Sequence, residues 1–213
     1  MSAIERLLSA LPLYSEDLKI DLTQPSGRFQ WLLASILFGA RISEKISCKT
    51  YRAFLEEGID SPEKILSAGW DRLVRILDAG GYVRYDFSTA TRLINIMSKL
   101  LERYGSLEEL YQQSSDTSDL ENRLKEFKGI GPVTVQIFLR EMRAVWEINP
   151  EVSSRALEIA ECLGIDLEEL SKELLSRVET ALIKLYLRCC KKKRCSQCPF
   201  SALCRCRYGS WAL

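Results

Sequence analysis

Apolar residues recur along this chain at three- and four-residue intervals almost throughout, and no alternation of period two persists, so the pattern predicts helices joined by polar turns and an all-α fold. Residues 27–40 (GRFQWLLASILFGA) are apolar enough for a buried helix, with Ser26 placed to cap it and Pro25 just upstream. Ser43 opens a second helix that runs through Phe54 and Leu55 and stops at Gly58. Ser61 and Pro62 begin a short third one. Trp70, Leu73, Val74 and Leu77 share one face of the next, which Gly80 and Gly81 break. The spacing predicts further helices over 88–104, closed at Gly105, then a short one behind the capping box Ser106 and Glu109. Others follow over 120–127, 132–146, 153–163 and 167–188. No solenoid-length repeat and no Gly/Ser or Pro-rich linker is present, so the chain reads as two lobes packed together.

Composition narrows the class. With 213 residues, 46% apolar and 28% charged, the chain can bury a core, which excludes disorder, collagen and a disulfide miniprotein. The longest apolar stretch, Trp31–Ala40, falls short of the roughly 18 to 20 residues that a membrane span needs. Glu5, Glu16 and Asp17 lie in an amphipathic N-terminal pattern unlike a secretion signal, so we expect an intracellular protein of cytoplasm or nucleoid, monomeric and without a membrane partner. There is no histidine, which removes His-based acid/base chemistry, serine triads and any zinc site that needs imidazole. The net charge of +1 conceals an uneven distribution: Cys189–Leu213 holds no acid but has Lys191, Lys192, Lys193, Arg194, Arg205 and Arg207, hence +6, against 24 basic and 29 acidic residues, hence −5, elsewhere. Six of the eight cysteines sit in that basic tail.

Two segments carry candidate chemistry. In Leu120–Met142 (LENRLKEFKGIGPVTVQIFLREM) a short amphipathic helix meets the turn Gly129-Ile130-Gly131 and a second helix opened by Pro132. The glycines permit a tight reversal and close approach to the backbone amides, and Ile130 can plug the apolar seam. Free amides and the dipole at the second helix's start make an anion site that suits a DNA phosphate, with Lys125 and Lys128 as counter-charge. Arg140 and Glu141, later on that helix, read as surface charges. The other segment is Cys195-x2-Cys198-x5-Cys204, preceded by Cys189 and Cys190 at a helix end. Four thiolates from one short loop suit a [4Fe–4S] cluster or a four-cysteine zinc site. Disulfides fit an intracellular chain poorly, Cys206 is a spare, and Cys48 and Cys162 read as small buried residues.

The order of helices, GIG hairpin, second helix and terminal cysteine loop resembles the endonuclease III-like helix-hairpin-helix DNA glycosylases, from about Phe29 to Cys204. The resemblance implies a two-lobed, all-α glycosylase-like fold with an iron–sulfur loop. Residues 25–142 would form the hairpin lobe and 1–24 with 143–213 the cluster lobe, with duplex DNA in the cleft between them. It also implies base-excision repair chemistry, a glycosylase or abasic-site lyase that flips a base from the duplex. In the family the loop spaces its ligands by six, two and five residues. Here two and five are kept, but five residues separate Cys189 from Cys195, or four separate Cys190 from it. The resemblance thus implies Cys189, Cys195, Cys198 and Cys204 as ligands, with Cys190 as substitute for the first. The cluster would shape the loop so that Lys191, Lys192, Lys193 and Arg194 meet phosphate beside Lys128, Gly129, Ile130, Gly131 and Val133.

The catalytic positions depart from the family. Val152-Ser153-Ser154-Arg155 stands where the family has Val-Asp-Thr-His, so Ser153 replaces the catalytic aspartate; it keeps the ability to cap a helix and loses the charge. Val133 replaces the lysine that forms a Schiff base in bifunctional members. The wedge glutamine is replaced by Ala40 or Arg41, and Arg41 is the expected filler of a flipped-base gap. Replacement catalytic candidates are Asp86 and Tyr85, in the loop Gly80–Asp86, and Glu151. Tyr82 is read either as a base-stacking group or as core, and Asp86 either as an acid/base or as a helix cap. The alternative function is non-catalytic recognition of damaged or distorted DNA.

Overall fold

The computed structural model describes residues 2–206, and these are helical without a strand. The chain divides into two compact units, Leu18–Leu139 and the remainder. No helix among the described residues is long and apolar enough to cross a membrane.

The unit Leu18–Leu139 is built on α3 (Pro25–Phe38), α4 (Glu44–Glu56), α5 (Pro62–Gly80), α6 (Asp86–Tyr104), α7 (Leu107–Gln112) and α8 (Thr117–Lys125), with most of α9 (Pro132–Met142). Helix α3 is apolar on every side because Trp31–Leu37 are all buried, and the Trp31 indole N–H donates to the Phe138 carbonyl at 3.1 Å. Pro25 takes the first helical position with Gln24 before it, so Ser26 lies inside the helix and caps nothing; a preset φ makes a side-chain cap dispensable there. Ser43, Ser61 and Ser106 do cap α4, α5 and α7. The two helices expected on either side of Gly69 are both present within the span α5, separated at that glycine, whose backbone is non-helical (φ 71°, ψ 169°). Helix α8 starts at Thr117, earlier than the apolar pattern suggests, because the Asp116 carboxylate accepts from the Asp119 N–H at 2.8 Å.

The other unit contains α1 (Ala3–Ala10), the single turn α2 (Tyr14–Asp17), α10 (Ser154–Leu163) and α11 (Lys172–Leu185). Its core joins Leu7, Ile159, Val178, Leu182, Leu185 and Phe200. Helix α11 continues as a π-helical stretch, Tyr186–Cys190. Arg140 and Glu141 are not surface charges: both are buried. The Glu141 carboxylate accepts from the Tyr14 and Ser15 amides at 2.9 and 3.0 Å, capping α2, while the Arg140 carbonyl accepts from Ser176 Oγ at 2.8 Å. Lys184 is fully buried, bonded to Asp17 at 2.7 Å and to the Pro12 carbonyl, with its ammonium 4.1 Å from the Tyr14 ring centre.

Candidate nucleic-acid interface and cysteine site

Helix α8, its turn and α9 form the expected hairpin. Lys125 is held by Glu121 at 3.1 Å, so it is a spent charge, whereas Lys128 stands exposed in the turn itself. The Ile130 N–H donates to the Phe127 carbonyl at 2.9 Å, and the buried Ile130 side chain fills the seam. The two glycines differ. Gly129 has φ 117°, and a Cβ there would lie 2.1 Å from Cδ of Arg92. At Gly131 a Cβ would meet nothing within 4 Å, so open space fronts the start of α9. Pro132 has no N–H, and the amides of the first turn have no intrahelical acceptor. Val133 is 60% exposed at this opening. Arg92, half-buried on α6, escaped sequence reasoning: nothing in its own helix marks it, and only the fold lays it across Gly129.

The end of α3 reaches the same hairpin. A Cβ at Gly39 would lie 2.1 Å from Thr134 Oγ1, so the exposed Arg41, two residues on, follows a segment tucked against the first turn of α9. Tyr82 is core and cannot stack on a base: it is fully buried, its hydroxyl donates to the Leu37 carbonyl, and burial pushes its pKa up to about 12. Tyr85 and Asp86 are half-buried at the start of α6, where the Asp86 carboxylate accepts from the Phe87 N–H at 2.7 Å and so serves the helix start. Beside them Phe87 and Trp70 are exposed, with ring centres 5.2 Å apart.

Ser153 caps α10, accepting from the Ala156 N–H at 3.3 Å, and is itself buried. Its own N–H donates to Glu179 at 3.0 Å, and Glu179 pairs with Arg143 at 2.8 Å, all three out of solvent. A carboxylate therefore does serve this position, but it is Glu179 from α11, neutralised by Arg143, and no motif in the sequence announces it. Glu151 points to solvent exposure instead.

Cys189, Cys190, Cys195, Cys198 and Cys204 gather around one cavity of about 340 Å³, walled by Ile159, Leu163, Leu185 and Phe200. The loop is pinned from α1, where Arg6 lies over the Phe200 ring at 5.8 Å and donates to the Pro199 carbonyl at 3.4 Å. Burial, then the neighbouring thiolates, push Cys190 up to about 12; burial raises Cys198 to about 11 despite the Phe200 N–H that its sulfur accepts. Among the described residues no group of three or more Cys, His, Asp and Glu is placed to hold a metal ion. Lys191, Lys192, Lys193 and Arg194 are exposed. They follow a Schellman-type helix end, with Lys193 at φ 54° and the Lys193 and Arg194 amides donating to the carbonyls of Cys190 and Cys189 at 2.9 and 3.0 Å. Cys162 is buried, as expected, but it is paired rather than a simple packing residue, and Cys206 is not a spare: the two form a disulfide with Cα atoms 5.3 Å apart. Compartment arguments gave no sign of it, and the pairing depends on the last turn of α10 meeting the loop end.

No protein-family profile matches the chain. It is 25% identical over 187 residues to a protein of Methanocaldococcus jannaschii named "Putative DNA repair glycosylase", covering 79% of this chain and 84% of that one. Among solved structures it resembles H. pylori 3-methyladenine DNA glycosylase (MagIII), crystallised with 1,N6-ethenoadenine bound, with a TM-score of 0.52, 16% identity and coverage of 88% of this chain and 98% of that chain.

Proposed function

We propose that this chain, which has the fold of the helix-hairpin-helix DNA glycosylases and is DNA repair glycosylase-like in sequence, is an endonuclease III-like protein that grips damaged duplex DNA without the family's lysine-based lyase chemistry. The observation that carries the reading is the hairpin: an open approach before α9, an exposed Lys128, and an exposed, non-nucleophilic Val133 where the family has its lysine. Duplex phosphate would sit on the α9 amides between Lys128 and Arg41, with Lys191–Arg194 as a second basic contact.

The cysteine cavity supports a [4Fe–4S] cluster. A zinc ion needs its sulfurs about 2.3 Å from one centre, whereas these five thiols line a cavity of about 340 Å³ with apolar walls. Cys189, Cys195, Cys198 and Cys204 would hold it. Cys189 is preferred to Cys190 because Cys190 also borders a separate groove. Held by a cluster at these four thiolates, the loop that displays Lys191–Arg194 would be cross-linked, and the chain's own cations would do the binding.

A second reading, recognition of lesions without base removal, is favoured by the Ser153–Glu179–Arg143 network, in which the carboxylate that meets Ser153 is neutralised and buried. Duplexes carrying uracil, thymine glycol, mismatched thymine, oxidised guanine or an abasic site separate the two. Base release without a borohydride-trapped adduct supports a hydrolytic glycosylase, and binding without release supports recognition alone. A trapped adduct that survives Lys128→Ala would refute the loss of lyase chemistry.

A further inference from the structure

The cysteine cavity is not the only hollow that the C-terminal loop borders. On its outer side lies a groove of about 810 Å³, lined by Arg155, Lys191, Lys193 and Arg205 against Glu158 and Glu161. Cys162, Cys190 and Cys206 line both spaces, so the partition between cavity and groove is built from the disulfide and one thiol. Cys162 is buried in the last turn of α10, whereas Cys206 is half-buried at the end of the loop. Only Arg205 separates Cys206 from Cys204, and the Arg205 N–H donates to the Cys162 carbonyl at 2.7 Å. The position of Cys204 within the cavity therefore depends on where Cys206 is fastened.

We propose that the Cys162–Cys206 disulfide is a reversible seal on the cysteine cavity, a thiol–disulfide exchange site that a dithiol opens from the cationic groove. The attacking species is a thiolate, and the surplus of cations in the groove draws an anion toward the more exposed sulfur. One thiolate of the dithiol bonds to Cys206 Sγ, and the Cys162 sulfur leaves as thiolate. The second thiol of the reagent then attacks its own sulfur in the mixed disulfide, expelling Cys206 as thiolate. The dithiol departs as a cyclic disulfide, its two electrons pass to the chain, and both cysteines take up protons. With the seal open, the bond from the Arg205 amide to the Cys162 carbonyl is left to tie the loop end to α10, and the cavity thiols become reachable from the groove. Retention of iron under the same control rests on the cluster reading; the seal itself does not.

The full-length protein as purified is alkylated with iodoacetamide and followed by mass spectrometry, in parallel with protein treated with dithiothreitol and with the Cys206→Ser variant; iron content and far-ultraviolet dichroism are recorded for each. Before alkylation the untreated chain should be lighter by two hydrogen atoms than the reduced one, and after complete alkylation it should carry two fewer carbamidomethyl groups. Opening the seal should speed alkylation of Cys189, Cys195, Cys198 and Cys204 by at least about tenfold, and should speed loss of any bound iron to a chelator similarly. Rates unchanged by either treatment, or no mass difference, overturn the seal. The dithiothreitol arm needs no substitution, so it decides the matter if Cys206→Ser fails to fold. A protein that carries no iron yet shows the alkylation difference keeps the seal and loses the cluster.

Discussion

At the scale of single residues, Ser153 and Val133, which the proposed reading equates with the glycosylases' catalytic aspartate and lysine, are a buried helix cap and an exposed apolar side chain. Ser153 is legible in the sequence as a helix cap and is one, but its partnership with Glu179 and Arg143 is not, because those residues lie on separate segments with no shared spacing. Removing one member leaves a buried charge unpaired, so Arg143→Ala should cost about 3 to 5 kcal/mol in a denaturant melt. Ser153→Asp should also destabilise, because it sets a second negative charge beside the buried Glu179. Tyr82 makes the contrast. Its hydroxyl shares the Leu37 carbonyl with Ser47, which donates at 3.2 Å, so Tyr82→Phe leaves that acceptor satisfied. The expected loss is about 1 kcal/mol or less, with DNA affinity unchanged; a large drop in affinity would return Tyr82 to the binding surface.

Helices and turns were the most readable level. Caps at Ser43, Ser61 and Ser106 and the glycine stops after α5 and α6 are local signals, and the structure obeys them. Errors arose where a neighbour overrides the local pattern: Pro25 makes a cap at Ser26 unnecessary, and burial of α9 on several sides hides Arg140 and Glu141 from any one-face reading. The hairpin yields the sharpest element-level test because its glycines differ. Gly129→Ala meets both a positive φ and Arg92, and should cost roughly 1 to 2 kcal/mol. Gly131→Ala has room for its methyl group and should leave stability within about 0.5 kcal/mol. Its methyl group nevertheless occupies the approach to the α9 amides, so duplex affinity should fall while the melting temperature holds.

For the whole molecule, charge asymmetry and cysteine spacing pointed to a basic, thiol-rich tail, and the structure does gather five of those thiols around one cavity. What the sequence concealed is the covalent tie between positions 44 residues apart, a loop that encloses all five. Closing a loop of that length restricts the unfolded chain by about 4 kcal/mol. Thermal melts with and without reductant should therefore differ by a stability of that order, and identical melts would show that the tie does not form in solution.

The proposed grip of the hairpin amides and the basic loop on duplex DNA is tested most directly by fluorescence anisotropy of a labelled duplex titrated across salt concentrations. We expect binding whose logarithm falls linearly with the logarithm of salt, a slope shallower by about one for Lys128→Ala, and weaker binding for Gly131→Ala at every sequence. Absence of binding in dilute buffer, or affinity indifferent to both substitutions, would contradict it.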